Sequence, residues 1–308
     1  TGGKFVRTEA QFRNWITADG SAGPSGKSGF PAESGRYHLY VSYACPWAHR
    51  TLIFRALKGL EDHISVSAVH PDMLDDGWVF DDSYPLATID HLHGKQFLRD
   101  VYLVAQSDVT TRVTVPVLWD TKTNTIVSNE SSEIIRMFNS AFNEITGNHE
   151  DYWPKDLRYD IEEFNSRIYS DVNNGVYKCG FATSQSAYNA AIQPLFNALE
   201  WLEDHLTTNR YLMGRILTEA DWRLFTTLIR FDPVYHLHFK CNRKRVIDYP
   251  NLWAYVRELY QWPGVADTVN MDHIVRHYHY SHDTINPNRI LPVNPELDYH
   301  APHGRESV

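Results

Sequence analysis

Tyr37-His38-Leu39-Tyr40-Val41-Ser42-Tyr43-Ala44-Cys45-Pro46-Trp47-Ala48-His49-Arg50 is the stretch on which the fold turns. Its first half, Tyr37 to Tyr43, is aromatic and branched and predicts a strand. Pro46 stands where the first residue of a helix tolerates proline. Leu52, Ile53, Ala56 and Leu57 keep helical spacing over 47–58, and Gly59 ends the run. Ile64 to Val69 predicts a second strand. A strand, a helix and a strand in that order make a βαβ unit, which requires parallel pairing. Cys45 falls at the joint between strand and helix, where open amide groups and the helix dipole favour a thiolate. A cysteine so placed commonly has a lowered pKa and acts as a nucleophile, the bland alternative being a buried cysteine that merely caps a helix. Ala48 occupies the place of the second thiol of a Cys-x-x-Cys pair. The site therefore cannot resolve its own mixed disulfide, and an external thiol must do so; glutathione is the abundant cytosolic one.

Downstream, Asp72, Asp75, Asp76, Asp81 and Asp82 crowd an insert over 71–94, which reads as a solvated loop with no assigned task. Phe97–Ala105 is expected to be a short helix. Val115–Trp119 and Thr125–Ser128 read as an antiparallel hairpin around the Asp120–Asn124 turn, and Glu130–Phe138 as a helix. One four-stranded mixed sheet flanked by helices satisfies this order. From about residue 155 the period becomes helical. Leu157, Ile161, Phe164 and Ile168 form one stripe, and Ile192, Leu195, Phe196, Leu199, Leu202 and Leu206 another. Thr218-Glu219-Ala220-Asp221 looks like an N-cap with Asp221 reaching back in place of Glu. Trp222, Phe225, Leu228 and Ile229 continue that helix, and Leu252–Tyr260 makes another.

Gly147, Asn148 and Pro154 mark a boundary near 142–156. The expected organisation is an extension over 1–35, a sheet domain over 36–145, an all-helical domain over 155–285 and an extended tail over 286–308 carrying Pro287, Pro292, Pro295 and Pro302. The extension combines a short amphipathic stretch (Phe5, Phe12, Trp15, Ile16) with a Gly/Ser/Pro-rich loop from Gly20 to Gly35, expected to be mobile. Gly26-Lys27-Ser28 imitates the end of a phosphate loop, but Ser21 stands where the motif's first glycine belongs and no strand precedes it.

With 43% hydrophobic and 22% charged residues the composition is that of a soluble globular protein. A net charge of −9 with scattered Lys and Arg argues against nucleic acid as partner. The 18 Tyr, 14 Phe and nine Trp suit aromatic-lined pockets as well as a packed core. Three cysteines, Cys45, Cys179 and Cys241, are no disulfide framework and fit a reducing compartment. Cys179 and Cys241 lack the strand-to-helix setting and read as inert packing. No apolar run approaches the ~20 residues of a membrane helix. A cytoplasmic location is expected, with a removed presequence left open by the Thr-Gly-Gly start. The pairs His91/His93, His236/His238 and His277/His279 have no structural-zinc spacing, so no metal is expected.

In this order, a strand, Cys-Pro at a helix start, a Val-Pro strand and a Glu-Ser helix start resemble the thioredoxin-like half of glutathione transferases. The chain is most similar to the glutathionyl-hydroquinone reductases, or Xi class. The resemblance is carried by Cys45 to Arg50, Gly77 to Phe80, Arg112 to Asp120, Asn129 to Ser132, Asn173 to Ala182, His277-Tyr278, Ser281-His282 and Asn286-Pro287, and also by Gly3 to Arg7. It implies a thioredoxin-like glutathione-binding domain with a four-stranded mixed sheet, then an all-helical glutathione transferase domain, and a homodimer. It implies glutathione as co-substrate and Cys45 as nucleophile. It further implies a cis Val115–Pro116 bond that lets the Val115 backbone pair with the cysteinyl part of glutathione, and Glu130 and Ser131 holding the glutamyl end. Trp78 and Arg112 would cover or pair with glutathione. Tyr177 and Tyr278 would contact the hydroquinone in a pocket between the two halves, with Tyr280 and His282 as weaker candidates. The implied reaction is glutathione-dependent reduction of glutathionyl-hydroquinones. An Omega-like thioltransferase or dehydroascorbate reductase, or a non-catalytic binding module of the same fold, are the alternatives.

Overall fold

Branched and aromatic residues build the sheet that carries the cysteine. In the computed structural model, which describes residues 2–308, strand β1 (Tyr37–Val41) is buried along its whole length. It pairs in parallel with β2 (Ile64–Ala68), Leu39 opposite Val66. On its other side it runs antiparallel to β3 (Val117–Asp120), Leu39 opposite Leu118. The hairpin partner of β3 is β4 (Thr125–Ser128), giving the order β2-β1-β3-β4. The parallel pair is enforced by the crossover helix α1 (Pro46–Leu57). Helix α2 (Leu98–Ala105) packs near β4, α3 (Ser131–Ser140) lies along α1, and a single turn, α4 (Asn143–Thr146), follows. β3 starts later than expected, at Val117. Pro116 has no N–H for a ladder, and the Val115–Pro116 bond is cis.

The described residues fall into two compact units, and the chain passes between them more than once. One holds the sheet, Thr8–Asp151 together with Asp267–His277; the other holds the helices, Tyr152–Ala266 with Tyr278–Val308, and the N-terminal stretch up to Arg7. The contiguous spans 36–145 and 155–285 miss this exchange. Residues 267–277 group with the sheet because His273 bonds the Pro85 carbonyl (2.6 Å), His277 the Pro71 carbonyl (2.8 Å), and Arg276 grips Asp72 through two 2.7 Å contacts.

Those contacts also correct the reading of 71–94 as solvated. Asp72 and Asp76 are paired, with Arg276 and Arg99. Asp90 is buried and accepts from the N–H groups of Lys95, Leu92 and His93 and from the Tyr40 hydroxyl. Burial pushes its carboxyl up, but these donors outweigh burial and hold it below its ordinary value. The 8–35 segment is likewise built in. Asn14 donates to the Val127 carbonyl (2.9 Å), Asn129 to that of Phe12 (3.2 Å), and Trp15, Ile16 and Phe30 are buried. This arm occupies the open edge of β4. Gly23 lies so close to Trp15 that a Cβ would stand 2.4 Å from the ring.

In the helical unit, α5 (Arg158–Arg167) runs into a π-turn, Ile168–Asn173, and then into α6 (Asn174–Gly180). Next come α7 (Gln185–His205) and α8 (Glu219–Leu228), a second π-turn (Phe231–Tyr235) and α9 (Pro250–Tyr260). Helix α10 (Met271–Ser281) closes the series. Leu195, Phe196, Leu199, Leu202, Trp222, Phe225, Leu252 and Val256 fill the core. The expected capping box of α8 is present: Asp221 accepts the Thr218 N–H at 2.8 Å. Burial raises the Asp221 carboxyl to about 6.

The tail has no regular element, as its prolines require, yet it is anchored. Gln261 bonds the carbonyls of Tyr299 and Ala301, and Arg257 that of Pro302. Arg305 is 2% exposed; its guanidinium donates to the carbonyls of Leu206, Asn209 and Arg210, and its Nε stands off-axis, 3.3 Å from Glu258 Oε2, as a charge contact rather than a directed hydrogen bond. Arg305→Met should cost about 3 kcal/mol of unfolding free energy, the lower end for breaking a buried pair, because Arg210 and Tyr211 still serve Glu258. Urea denaturation reads this directly, and a loss below about 1 kcal/mol would show the tail to be a loose appendage.

Candidate active site

The thiol site arises from the end of one strand and the start of two helices. After Val41 the chain bends at Ser42, whose carbonyl accepts the Cys45 N–H (3.1 Å) and whose hydroxyl accepts that of Ala44 (3.2 Å). Cys45 is thereby fixed as the N-cap of α1, in extended backbone conformation, with Pro46 as the first helical residue. Its Sγ sits at the positive end of the helix and is partly exposed, whereas Cys179 and Cys241 are buried. The thiol contacts the Val115 carbonyl at 3.6 Å. β1 and β3 bring this about: Tyr40 opposite Val117 sets the cis Val115–Pro116 turn beside the end of β1. Val115 itself lies outside the ladder, so its N–H and carbonyl belong to no strand pair.

Beyond Cys45, the motif supports the site from behind. His49 is buried and bonds Thr268 (2.8 Å). Arg50, 1% exposed, lies over the Trp47 ring at 4.5 Å and donates to Ser131 Oγ (3.4 Å). The alternation of Trp47 and Arg50 on one helix turn was a visible signal for this, but its target on α3 was not. Glu130 is the N-cap of α3, accepting from the Ser132 N–H (3.0 Å) and hydroxyl (2.8 Å), while Ser131 opens the helix. The Glu130 carboxylate therefore caps its own helix here.

Trp78 and Arg112 lie on other segments of the same unit. Trp78 is buried and stacks on His277, ring centroids 4.9 Å apart. Arg112 is exposed on the loop before Val115.

In the helical unit, Tyr177 of α6 and Tyr278 of α10 share a hydrogen bond between their hydroxyls at 2.5 Å, and Tyr278 shares a second, at 3.0 Å, with Tyr235. Tyr235 was missed by the sequence reading. Its signal is the spacing Phe231, Tyr235, Phe239, which continues the aromatic run of α8 through the π-turn. The first π-turn leads into the helix that carries Tyr177 and the second ends on Tyr235, and such wide turns recur at functional sites. Tyr278 and Tyr235 are buried, and burial raises both phenols well above their ordinary range, with the neighbouring tyrosines adding to it. They therefore remain hydroxyls and can donate at neutral pH. Arg7 caps the group, its guanidinium 4.9 Å from the Tyr177 ring centre and bonded to Asn174 (2.7 Å). Of the weaker candidates, His282 packs at the edge of the Tyr278 ring and stacks on Phe239. Tyr280 lies instead under Arg289.

Among the described residues no cluster of three or more His, Cys, Asp or Glu is arranged to hold a metal ion, and no helix is long and apolar enough to cross a membrane.

Family models of the glutathione S-transferase N-terminal and C-terminal domains match residues 44–141 and 185–258. The chain is 59% identical over 306 residues to glutathionyl-hydroquinone reductase YqjG of Escherichia coli, covering 99% of this chain and 93% of that protein. It is 50% identical to glutathionyl-hydroquinone reductase PcpF of Sphingobium chlorophenolicum, over 96% and 91% of the two. The solved glutathione-bound structure of YqjG superposes with a TM-score of 0.95, covering 96% of each chain. Glutathione-S-transferase Xi of Phanerochaete chrysosporium superposes at 0.90 with 53% identity, over 94% and 97%.

Proposed function

Since this chain belongs to the glutathione S-transferase family, and within it to the Xi class, we infer that it is a glutathionyl-hydroquinone reductase, an enzyme that uses glutathione to return glutathionylated hydroquinones to free hydroquinones. The observation that carries this reading is a single partly exposed thiol, Cys45, at a helix start against the Val115 turn, with no second cysteine beside it. The residues present fit glutathione. Val115 offers backbone groups outside the ladder next to the thiol, and α3 begins with Ser131 backed by Arg50. Arg112 is an exposed cation three residues before that turn.

The Cys45 thiolate attacks the sulfur of the glutathionyl group. The new bond is the Cys45–glutathione disulfide, and the carbon–sulfur bond to the ring breaks. If the ring first moves a proton from oxygen to the sulfur-bearing carbon, the electron pair released from that bond returns to the ring as an enolate. Tyr177 and Tyr278 hydrogen-bond and protonate its oxygen, yielding the hydroquinone. A second glutathione attacks the mixed disulfide, oxidised glutathione leaves, and Cys45 returns to the thiol. Trp78 covers the bound glutathione, and Glu130 takes its ammonium once the carboxylate turns from Ser132.

The Omega-like thioltransferase reading would need only Cys45 and the glutathione site. The three bonded tyrosines favour a substrate with a phenolic oxygen. A homodimer and a cytoplasmic setting complete the proposal, the first from the family resemblance and the second from the sparse cysteines.

The deciding experiment is turnover of a glutathionylated hydroquinone with excess glutathione. Release of hydroquinone and oxidised glutathione in equal amounts is expected; activity on mixed disulfides alone would transfer the protein to the Omega-like reading. Ser131→Ala should raise the KM for glutathione about ten-fold, the loss of ~1.5 kcal/mol from one hydrogen bond to a charged group, with kcat little changed. An unchanged KM would remove Ser131 from the binding site.

A further inference from the structure

The stretch up to Arg7 belongs to the helical unit, and its contacts bring it onto the tyrosine cluster. The Gly3 carbonyl accepts the Thr183 N–H at 3.1 Å, and the Gly2 carbonyl accepts the Ser184 hydroxyl at 3.1 Å. Gly3 has φ +77°, and a Cβ there would stand 2.7 Å from Ser184 Oγ, so only glycine lets the backbone come this close. From this anchor Phe5 reaches two rings of α6 and its end, Tyr177 at 6.0 Å and Phe181 at 5.7 Å, all three planes within 28° of one another. Of the three bonded tyrosines, Tyr177 is half-buried while Tyr235 and Tyr278 are buried, so an aryl group meets the hydroxyl chain at Tyr177. Arg7 stands at that point. Its guanidinium carbon is 4.9 Å from the Tyr177 ring centre and 5.3 Å from that of Phe5. Its Nε donates to Asn174 Oδ1 at 2.7 Å, and Asn174 is buried one turn before Tyr177 on the same helix. That acceptor is a neutral amide, so the bond orients the cation without cancelling its charge. Lys178, the other cation nearby on α6, donates instead to the Ser170 carbonyl at 2.9 Å.

We propose that Arg7 reads charge on the aryl half of the substrate, so that the enzyme favours glutathionyl-hydroquinones whose ring carries an anionic substituent such as a carboxylate. The chain as a whole carries −9 and repels anions at a distance, so a preference of this sign has to come from a local cation. Arg7 supplies one in a half-buried setting, where charge is screened less than in open water. The rings of Phe5 and Tyr177 and the Asn174 amide hold the guanidinium in place, so little side-chain freedom is lost when a carboxylate arrives. Two unit charges about 10 Å apart at an effective dielectric of ~20 attract by enough for about a ten-fold difference in kcat/KM. The glutathione half carries the same charges in every substrate of this kind and does not discriminate among rings. This role rests on the proposed function, because it needs an aryl group held at Tyr177.

The test compares kcat/KM of the full chain on the glutathione adduct of carboxy-hydroquinone and on the methyl ester of that adduct's ring carboxylate, which is nearly the same shape without the charge. The parent is expected to prefer the carboxylate about ten-fold. The preference should shrink in about 1 M salt, where the screening length falls to ~3 Å. Arg7→Gln should bring the ratio near one, and Arg7→Lys, which keeps the charge, should restore most of it. Both adducts are read on the same variant, so a general loss of activity or of folded protein cancels in the ratio. A parent ratio below about two, or a ratio left unchanged by Arg7→Gln, would overturn the proposal while leaving the reductase reading intact. If the parent turns over neither adduct, the reductase reading itself falls, and the role of Arg7 with it.

Discussion

Cys45→Ser is expected to lower turnover of a glutathionylated hydroquinone at least about 10³-fold, because loss of a nucleophile removes the covalent step itself. An alcohol at the head of α1 keeps the position and the dipole but ionises far less readily than a thiol. It would also form no disulfide with glutathione, so the resolving step disappears with the attacking one. Glutathione binding should survive, since Val115, Ser131 and Arg50 are untouched by the change. Retention of the variant on immobilised glutathione alongside lost turnover separates chemistry from folding. Turnover within ten-fold of the parent would show that Cys45 is not the nucleophile.

Tyr278→Phe should lower kcat on the same substrate by about 10²-fold, the usual loss when one preorganised donor to a developing oxyanion is removed. Tyr278 is the middle of the hydroxyl chain, 2.5 Å from Tyr177 and 3.0 Å from Tyr235, so phenylalanine removes one donor and leaves two others without their shared partner. Stability should fall by only about 1 kcal/mol, because Tyr177 keeps partial exposure to water. Reduction of a simple mixed disulfide, which has no aryl oxygen, should be nearly unaffected. That split is the diagnostic result, and equal loss on both substrates would reduce Tyr278 to a packing residue.

How far these sites could be read from sequence depends on how local their causes are. Strand, Cys-Pro and helix are consecutive, so the placement of Cys45 at the head of α1 followed from 14 residues. The four strands and the capping box of α8 were legible for the same reason. Tyr235 was not, because it sits in a π-turn where neither the helical nor the strand period applies, and its partner is 43 positions away. Arg50 reaches Ser131 across 81 residues, and the acidic insert meets Arg276 across 204; no composition or periodicity encodes such a pairing.

The arm along β4 also has a consequence in time. Phe12 and Asn129, which it joins, are 117 residues apart in the chain. During synthesis at 5–20 residues per second the arm emerges roughly 6–23 s before its partner exists. Until then β3 and β4 are missing as well, so the β1–α1–β2 part of the chain must wait as an incomplete nucleus. Closing a loop of this size costs much entropy before any contact repays it, which places arm docking late among the folding events. Once β4 is made, and until the arm docks, its fresh edge is the stretch on which a chaperone, or a second nascent chain, has its opportunity to act.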